Sequence, residues 1–249
     1  MSNPLKRLYP EIEVGGYSRD DKTAEFYGRI NALLTPESVV VDFGAGRGGF
    51  MDDPDSYLRR LQLIRGRVAR VVGIDIDPIV KENPSVDEAQ VWQPGERIDL
   101  PDESVDLVFS DYTFEHVDDP SLVVPELQRI LKPGGWICAR TPNKWGYIAL
   151  GARMVPNKMH ARVLERLQPA RAERDVFPTR YRMNTLGALR QQFPERWWKV
   201  TGYTVNGEPV YFGSSRVLIY GVYGVSKLLP QKLGAMCMFF VQKRRVGTN

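Results

Sequence analysis

Short apolar runs alternate with stretches of helical spacing over the first half of the chain. Runs rich in Val and Ile predict buried strands, and apolar residues three or four positions apart predict helices that bury one face. The predicted strands are Ser38–Phe43, Val71–Ile76, Ala89–Gln93, Val105–Ser110 and Trp136–Arg140, and the predicted helices are Thr23–Leu34, Ser56–Arg65 and Leu122–Leu131. This alternation predicts an α/β fold, in which helices cover both faces of a mostly parallel sheet.

The alternation stops after Pro142. Residues 143–184 are rich in Arg, Pro and Met, and we interpret them as a helical insertion into the fold. Later, Asn206-Gly207 separates two strand-like runs, 199–205 and 208–212, and predicts a hairpin. The other elements expected in this part are helices at Thr185–Phe193 and Val217–Leu229 and a last strand at Ala235–Val241.

Composition and length favour one globular domain over residues 1–249. Hydrophobic residues make up 43% of the chain and charged residues 26%, which suffices for a sizeable core. The net charge is +4 and the basic residues are dispersed, so charge does not favour a nucleic-acid partner. Cys138 and Cys237 each lie in an apolar stretch, and we expect both to be buried thiols. Without a leader or a spanning apolar run, we expect a cytoplasmic location. Oligomeric state stays open.

A glycine-rich segment, VVVDFGAGRGGF at residues 39–50, follows the first predicted strand. Its Gly44-x-Gly46-x-x-Gly49 spacing matches a dinucleotide-binding turn, in which backbone amides hold a pyrophosphate. Asp42, two residues before the first glycine, favours another ligand, because a carboxylate repels a pyrophosphate and attracts a cation. Asp75 ends the second strand, where an acid can accept hydrogen bonds from ribose hydroxyls in either kind of site.

Together with other motifs, this segment resembles the class I S-adenosylmethionine-dependent methyltransferases, of the small-molecule type similar to the ubiquinone and menaquinone methyltransferases. The motifs that carry the resemblance are VVVDFGAGRG, GIDIDP, LPDESVDLVFSDYTFEHVDDP and ELQRILKPGGWICARTPN, all within about residues 25–145. A later segment, DVFPTRYRMNT at residues 175–185, is similar to one in bacterial methyltransferases of uncertain substrate. The resemblance implies a Rossmann-like sheet of seven strands with the last strand antiparallel.

The resemblance also implies S-adenosyl-L-methionine as the cofactor, bound at the carboxyl ends of the first strands. Its methionine end would lie along the glycine turn, its ribose on Asp75 and its adenine on Ile76. Glu96 and Arg97 stand where the family often has Asp and Ala beside the adenine. The expected cofactor-binding residues are Asp42, Gly44, Ala45, Gly46, Gly48, Asp75, Ile76, Glu96, Arg97, Ser110 and Asp111.

The acceptor is expected past the fourth strand, under the insertion 143–184. Methyl transfer to a protonated acceptor needs a base, and His116 and His160 are the two histidines of the chain. Each also has a purely structural interpretation, as a turn residue and as a surface residue. The expected substrate-binding residues are Tyr112, Tyr147, Arg180, Tyr181 and Arg182. The aromatic ones could equally be core residues, and the arginines could flank a solvated helix start capped by Asn184.

These patterns favour methyl transfer to a small molecule, most of all at oxygen, and no metal-binding triad is apparent. The acceptor could be anionic or lipid-like. The helix Val217–Leu229, with basic neighbours, either packs on the sheet or rests on a membrane, which would make the protein peripheral at the inner membrane. One alternative is a protein or partner subunit that binds S-adenosylmethionine without turnover. Another, less favoured, is an NAD(P)-dependent oxidoreductase, whose Tyr-x-x-x-Lys spacing occurs only at Tyr223–Lys227.

Overall fold

A seven-stranded sheet forms the centre of the computed structural model, which describes residues 4–53, 55–154, 179–209 and 216–245. The strands are β1 (Val39–Phe43), β2 (Arg70–Asp75), β3 (Glu88–Val91), β4 (Val105–Asp111), β5 (Leu131–Pro142), β6 (Trp198–Val205) and β7 (Met236–Lys243). Their order across the sheet is β3-β2-β1-β4-β5-β7-β6. Strands β1 to β5 pair in parallel, whereas β7 runs antiparallel between β5 and β6. The expected Rossmann-like topology with an antiparallel last strand is therefore confirmed.

Seven α-helices surround the sheet in the described parts of the chain. They are α1 (Pro4–Leu8), α2 (Lys22–Leu33), α3 (Tyr57–Gln62), α4 (Pro120–Ile130), α5 (Tyr147–Met154), α6 (Leu186–Gln192) and α7 (Arg216–Leu228). Phe26 and Ile30 of α2 belong to one buried apolar cluster, while Leu127 of α4 and Leu189 of α6 belong to another. Val40 belongs to the first cluster and Val41 to the second. These successive residues of β1 point to opposite faces of the sheet. Helices therefore cover both faces.

Local sequence signals explain several helix starts. Asp21 caps α2, because its carboxylate accepts a hydrogen bond from the Ala24 amide at 2.8 Å. Ser56 caps α3 in the same way through the Arg59 amide, at 3.1 Å. Helix α3 ends at Gln62, three residues before the predicted end, because Leu63 takes an extended backbone conformation.

Two predicted elements differ from the structure. Strand β5 begins at Leu131 rather than Trp136, since Leu131 pairs with Val105 before the register shifts at a bulge. The hairpin predicted at Asn206-Gly207 does not form at the described residues, where Glu208 and Pro209 lie outside any strand. Strand β6 pairs with β7 instead, so its partner comes from the end of the chain.

Cys138 and Cys237 are buried free thiols, as expected. Burial raises the pKa of both thiols, that of Cys237 to about 12. Both cysteines therefore act as small apolar core residues. Within the described ranges, no helix is long and apolar enough to cross a membrane.

Candidate active site

The glycine turn directly follows β1, at the edge of the sheet where the parallel strands end. Gly44, Gly46 and Gly48 have φ angles of +84°, +51° and +70°, which favour glycine over residues with a Cβ. A Cβ on Gly44 would overlap Thr113, and one on Gly48 would overlap Asn83. A Cβ on Gly46 would meet nothing within 4 Å. Gly46 is therefore the glycine of this turn that faces open space, where a ligand can approach the backbone.

Side chains and backbone groups of β2 and its following loop hold this turn in place. The Gly44 amide donates to the Ile74 carbonyl at 2.7 Å, and the Gly46 amide donates to Asp75 Oδ2 at 2.8 Å. The buried side chain of Asn83 donates to the carbonyl oxygens of Ala45 and Gly46, at 3.0 and 3.2 Å. The turn is thus preformed, and no sequence pattern singles out Asn83.

Asp75 lies where the ribose of the cofactor is expected, at the carboxyl end of β2. Its Oδ1 accepts a hydrogen bond from the Asp77 amide at 2.9 Å, while its Oδ2 accepts from Gly46. Each carboxylate oxygen keeps a second lone pair that can accept from a hydroxyl. Asp75 therefore has a structural role in the glycine turn, and its predicted contact with the ribose stays a prediction.

Asp42 lies on β1 in a partly buried position near two other acids. Burial, and then the nearby charges of Asp111 and Asp75, raise the pKa of its carboxyl well above the usual range. An acid with a raised pKa and acidic neighbours favours a cationic ligand, because a nearby positive charge would stabilise its ionised form. This environment fits a ligand that carries an ammonium and a sulfonium group.

Asp111, at the end of β4, forms a buried ion pair with Arg140 of β5. Arg140 Nε lies 2.6 Å from Asp111 Oδ1, and Arg140 Nη2 lies 2.6 Å from Oδ2. Tyr27 of α2 donates its hydroxyl to Asp111 at 3.3 Å, and burial and the Asp111 charge raise the Tyr27 pKa well above its usual value. Arg140 also donates to Thr23 at 3.2 Å. These contacts attach α2 to the carboxyl edge of the sheet.

Ser110 directly precedes Asp111 and points to the opposite face of β4, since side chains alternate along a strand. Its hydroxyl is fully buried and has no hydrogen-bond partner among the described residues. A buried hydroxyl without a partner is unusual in a folded protein. The structure thus places both predicted residues at the end of β4 but on different faces, and their contact with the cofactor stays a prediction.

The predicted adenine residues lie around the ends of β2 and β3. Ile76 follows Asp75 and is 48% exposed, and Gln93 Nε2 donates to the Ile76 carbonyl at 3.4 Å. Glu96 belongs to a turn closed by its own carboxylate, which accepts from the Gln93 amide at 3.3 Å. Arg97 instead pairs with Asp102, at 2.7 Å, and both side chains are exposed. The structure therefore brings Gln93, which was not predicted, beside Ile76, and directs the Arg97 guanidinium towards Asp102.

The loop after β4 carries Tyr112 and His116. Tyr112 has a φ angle of +57°, an uncommon conformation for a residue with a side chain, and its hydroxyl donates to Met236 Sδ at 2.8 Å. The His116 amide donates to the Thr113 carbonyl at 2.9 Å, so a tight turn fixes the histidine. The His116 side chain is partly exposed at the carboxyl edge, which is the position expected for a residue that contacts the acceptor.

A basic segment docks against this loop. The amides of Arg180 and Tyr181 both donate to the Glu115 carbonyl, at 2.7 and 3.2 Å. The guanidinium of Arg180 lies 3.8 Å from the Asp118 carboxylate. The pKa of the neighbouring Asp119 is lowered by hydrogen bonds from Ser121 and, to a smaller extent, by the charge of Arg182. Tyr181 takes a φ angle of +54°. The structure therefore brings three predicted substrate residues next to the loop that holds His116.

A chain of buried hydrogen bonds also connects the basic segment to the loop after β4. Thr141 Oγ1 donates to Glu115 Oε2 at 2.9 Å, and Asn184 Nδ2 donates to Thr141 Oγ1 at 2.9 Å. The buried side-chain oxygen of Asn184 accepts no hydrogen bond from the described residues, so Asn184 does not cap a helix as the alternative interpretation had it. Thr185 caps α6 instead, through a 3.0 Å hydrogen bond from the Ala188 amide. The sequence signals pointed to the cap one residue too early.

The insertion after β5 is only partly within the described residues. Tyr147 is the first residue of α5 and is partly exposed. His160 lies outside the described residues, as do the neighbouring residues 155–178. The predicted role of the insertion as a cover for the acceptor site stays a prediction. In the described parts of the chain, no group of three or more His, Cys, Asp or Glu side chains could hold a metal ion.

Residues 41–139 match the protein family described as a methyltransferase domain. The chain is 26% identical over 189 residues to a trans-aconitate 2-methyltransferase of Azoarcus sp. strain BH72, covering 68% of this chain and 70% of that protein. It is also 26% identical over 178 residues to a ubiquinone biosynthesis O-methyltransferase of Nitrosomonas europaea, covering 64% of this chain and 62% of that protein. The alignment with the second relative thus spans less than two thirds of its length.

A solved structure extends the likeness to nearly the whole chain. The S-adenosylmethionine-dependent methyltransferase structure from Archaeoglobus fulgidus superimposes with a TM-score of 0.53 at 17% identity, covering 94% of this chain and 97% of that one. At this identity the likeness concerns the fold.

Proposed function

We propose that this chain is a class I S-adenosylmethionine-dependent methyltransferase and that it methylates an oxygen atom of a small anionic acceptor. S-adenosylmethionine supplies, when bound, an electrophilic methyl group on a sulfonium. The proposal is carried by one observation, the docking of the Arg180–Tyr181 backbone on the Glu115 carbonyl. This contact holds two arginines beside the loop of His116.

The residues present fit the cofactor. Gly46 leaves the space in which the amino-acid part would lie, and Asp42 offers a carboxylate that a nearby cation would stabilise. Asp75 keeps lone pairs for the ribose hydroxyls, and Ile76 and Gln93 would flank the adenine. Tyr27 and Arg140 would act indirectly, because they hold Asp111 and α2 in position.

His116 would be the general base for a hydroxyl acceptor. An imidazole that is neutral near pH 7 can accept the proton that the hydroxyl loses as its oxygen takes the methyl group. Asp111 is unsuited to this role, because its two oxygens are engaged by Arg140. Tyr27 is equally unsuited, since its raised pKa keeps the hydroxyl protonated.

Arg180 and Arg182 would bind the anionic group of the acceptor. Arg180 is about half exposed, and its ion pair with Asp118 is long, at 3.8 Å, so an acceptor can compete for the guanidinium. A carboxylate or phosphate bound by arginine can take two parallel hydrogen bonds. The names of the relatives are consistent with this, since trans-aconitate is a tricarboxylate and the other relative is named an O-methyltransferase.

Initial-rate kinetics with matched acceptors would test this function. Hydroxy acids would be compared with their methyl esters, which keep the hydroxyl and lose the charge, in the wild type and Arg182→Ala. We expect the acids to be better substrates and the substitution to raise their KM by about tenfold or more, with the KM of the esters unchanged. Equal kcat/KM for acids and esters in both proteins would overturn the anionic acceptor.

A lipid-like acceptor is a second candidate. It is favoured by the exposed apolar side chains of α7, among which Val217 is 83% and Leu228 is 86% exposed. Apolar patches on a protein surface often mark binding sites for partners, ligands or membranes. An acceptor with both an acidic group and an apolar tail would satisfy both proposals.

A further inference from the structure

Helix α7 presents an apolar face to the solvent. At 100° per residue, six of its exposed positions, 217, 218, 221, 224, 225 and 228, share one arc of the helix. We call these residues the α7 outer face: Val217, Leu218, Gly221, Gly224, Val225 and Leu228. Four of them have exposed fractions of 46% to 86%, whereas Ile219 on the opposite side is 1% exposed. This face carries no charge, the reverse of an ordinary surface helix.

Contacts on the inner side hold α7 in this orientation. The Tyr223 ring packs edge-on against Tyr9, with centroids 5.9 Å apart, and Lys227 pairs with Asp20 at 3.1 Å. Asn206 donates to the Ser226 carbonyl at 3.0 Å. A rotation that buried the outer face would break these contacts, so the apolar exposure follows from how the helix is anchored.

The charged residues of the segment that carries the α7 outer face are all basic, although Lys227 is paired with Asp20. Residues 216–234 contain Arg216, Lys227 and Lys232 and no acidic residue. Next to this segment, Trp145 is 52% exposed, with Lys144 Nζ 5.7 Å from its ring centroid. Asn143 links the two segments by donating to the Lys232 carbonyl at 3.2 Å. An apolar face fringed by Trp, Lys and Arg complements the acyl region and the anionic headgroups of a phospholipid bilayer.

The connection that carries the α7 outer face starts and ends at the same edge of the sheet as the candidate active site. The helix lies in the connection from β6 to β7, and Val205 and Pro142 both pair with Met236 at the carboxyl edge of the sheet. The loop of His116 lies at the same edge. A surface that docks α7 would therefore also face the edge at which the acceptor enters.

We propose that the α7 outer face docks this protein peripherally on anionic phospholipid bilayers. The apolar side chains enter the boundary between headgroups and acyl chains, and the basic fringe binds the headgroups. Docking is a property of this surface alone and does not require methyl transfer. A second copy of the chain is the competing occupant of the face.

Vesicle cosedimentation of the full chain tests this directly. The vesicles would contain phosphatidylcholine alone or with about a quarter of phosphatidylglycerol, and the assay needs neither cofactor nor acceptor. We expect binding to the anionic vesicles, at least about tenfold weaker binding to the neutral ones, and a loss of similar size in Val217→Asp/Leu228→Asp. Trp197→Asp is the matched control, since Trp197 is 50% exposed at the amino edge of the sheet. This control should bind as the wild type does.

Three results would overturn the proposal. They are no binding to anionic vesicles, equal binding by the double variant, and a dimer in light scattering that the double variant converts to monomer. Cofactor titration of each variant checks that it is folded. Should the double variant not fold, Lys232→Glu replaces it, and unchanged binding of that variant to anionic vesicles would equally contradict the proposal.

Discussion

Arg140 and Asp111 lie opposite each other on β5 and β4 and form two hydrogen bonds of 2.6 Å at the carboxyl edge of the sheet. Phe26 and Tyr112 flank the guanidinium, with ring centroids 5.3 and 4.8 Å from its carbon. The pair thus connects the sheet, the loop after β4 and helix α2. It is a structural centre of this edge, at which we propose that the acceptor binds.

Replacing Arg140 should destabilise the fold strongly. Arg140→Met leaves the Asp111 carboxylate buried without its cation, beside Asp42, and removal of one partner of a buried pair costs about 3–5 kcal/mol. Urea unfolding near pH 7 measures the change. Arg97→Met is the matched control, because its pair with Asp102 is exposed, and it should unfold as the wild type does. Similar urea midpoints for the two variants would show that the Arg140–Asp111 pair does not stabilise the folded protein.

Gly46→Ala should separate cofactor binding from stability. The alanine adopts a positive φ at a cost of about 1–2 kcal/mol, and its Cβ enters the open space that we assign to the cofactor. Gly16→Ala is the control, since Gly16 has a φ of +84° and also no atom near an added Cβ. Both variants should lose similar stability in urea.

Calorimetric titration with S-adenosylhomocysteine then distinguishes the two glycine variants. We expect Gly46→Ala to bind at least about tenfold more weakly, a loss of about 1.4 kcal/mol, and Gly16→Ala to bind normally. Normal binding by both variants would show that the cofactor does not bind at the glycine turn.

Asp42 should couple cofactor binding to pH. The pKa of Asp42 is raised in the folded protein, so the folded state binds this proton more tightly than the unfolded state does. Without ligand, the free energy of unfolding should therefore fall as the pH rises from about 4 through the raised pKa. The Asp42→Asn substitution should remove this fall. A bound cation favours the ionised carboxylate. Binding of S-adenosylmethionine should therefore release protons within this window, and its affinity should increase with pH.

Titrations in buffers of different ionisation enthalpy measure the released protons. We expect a release in the wild type and a much smaller one in Asp42→Asn. An undiminished release in the variant would assign the proton to another group. Asp42→Asn is preferable to Asp75→Asn as a probe, because Asp75 also holds the Gly46 amide.

Removing the His116 imidazole should lower kcat without weakening cofactor binding. For a hydroxyl acceptor, loss of a general base typically costs about 10²–10⁴ in rate. His116→Asn should therefore show a reduced kcat at an unchanged affinity for the cofactor. Unchanged kcat in this variant would indicate an acceptor that is already ionised, such as a carboxylate, which needs no base.

The local structure of the proposed cofactor half was predictable because its residues are local in sequence. The acid of β1, the glycine turn and the acid at the end of β2 follow directly from two strands and their ends. Strands β1 and β2 lie within one residue of the predicted bounds. The structure adds Asn83, whose role depends on a loop folding back onto the turn. A lone Asn in a polar loop offers no pattern that would reveal this.

The structure of the proposed acceptor half was less predictable because its contacts join distant segments. Tyr27 reaches Asp111 across 84 positions, and Arg140 reaches it only through the pairing of β4 with β5. The Asn206-Gly207 pair is typical of a hairpin turn, but tertiary pairing with β7 decided the partner of β6. The surface of α7 could not be assigned from its apolar composition, since a buried helix would have the same composition.

Transfer of radiolabel from methyl-labelled S-adenosylmethionine into a cell extract tests the central claim most directly. The extract would be separated into protein, nucleic acid, lipid and small molecules, with the small molecules divided by anion exchange. We expect label in an anionic small-molecule fraction with the wild-type protein, and much less with Gly46→Ala. Label in protein or nucleic acid, or none in any fraction although the cofactor binds, would contradict a methyltransferase of small anionic acceptors.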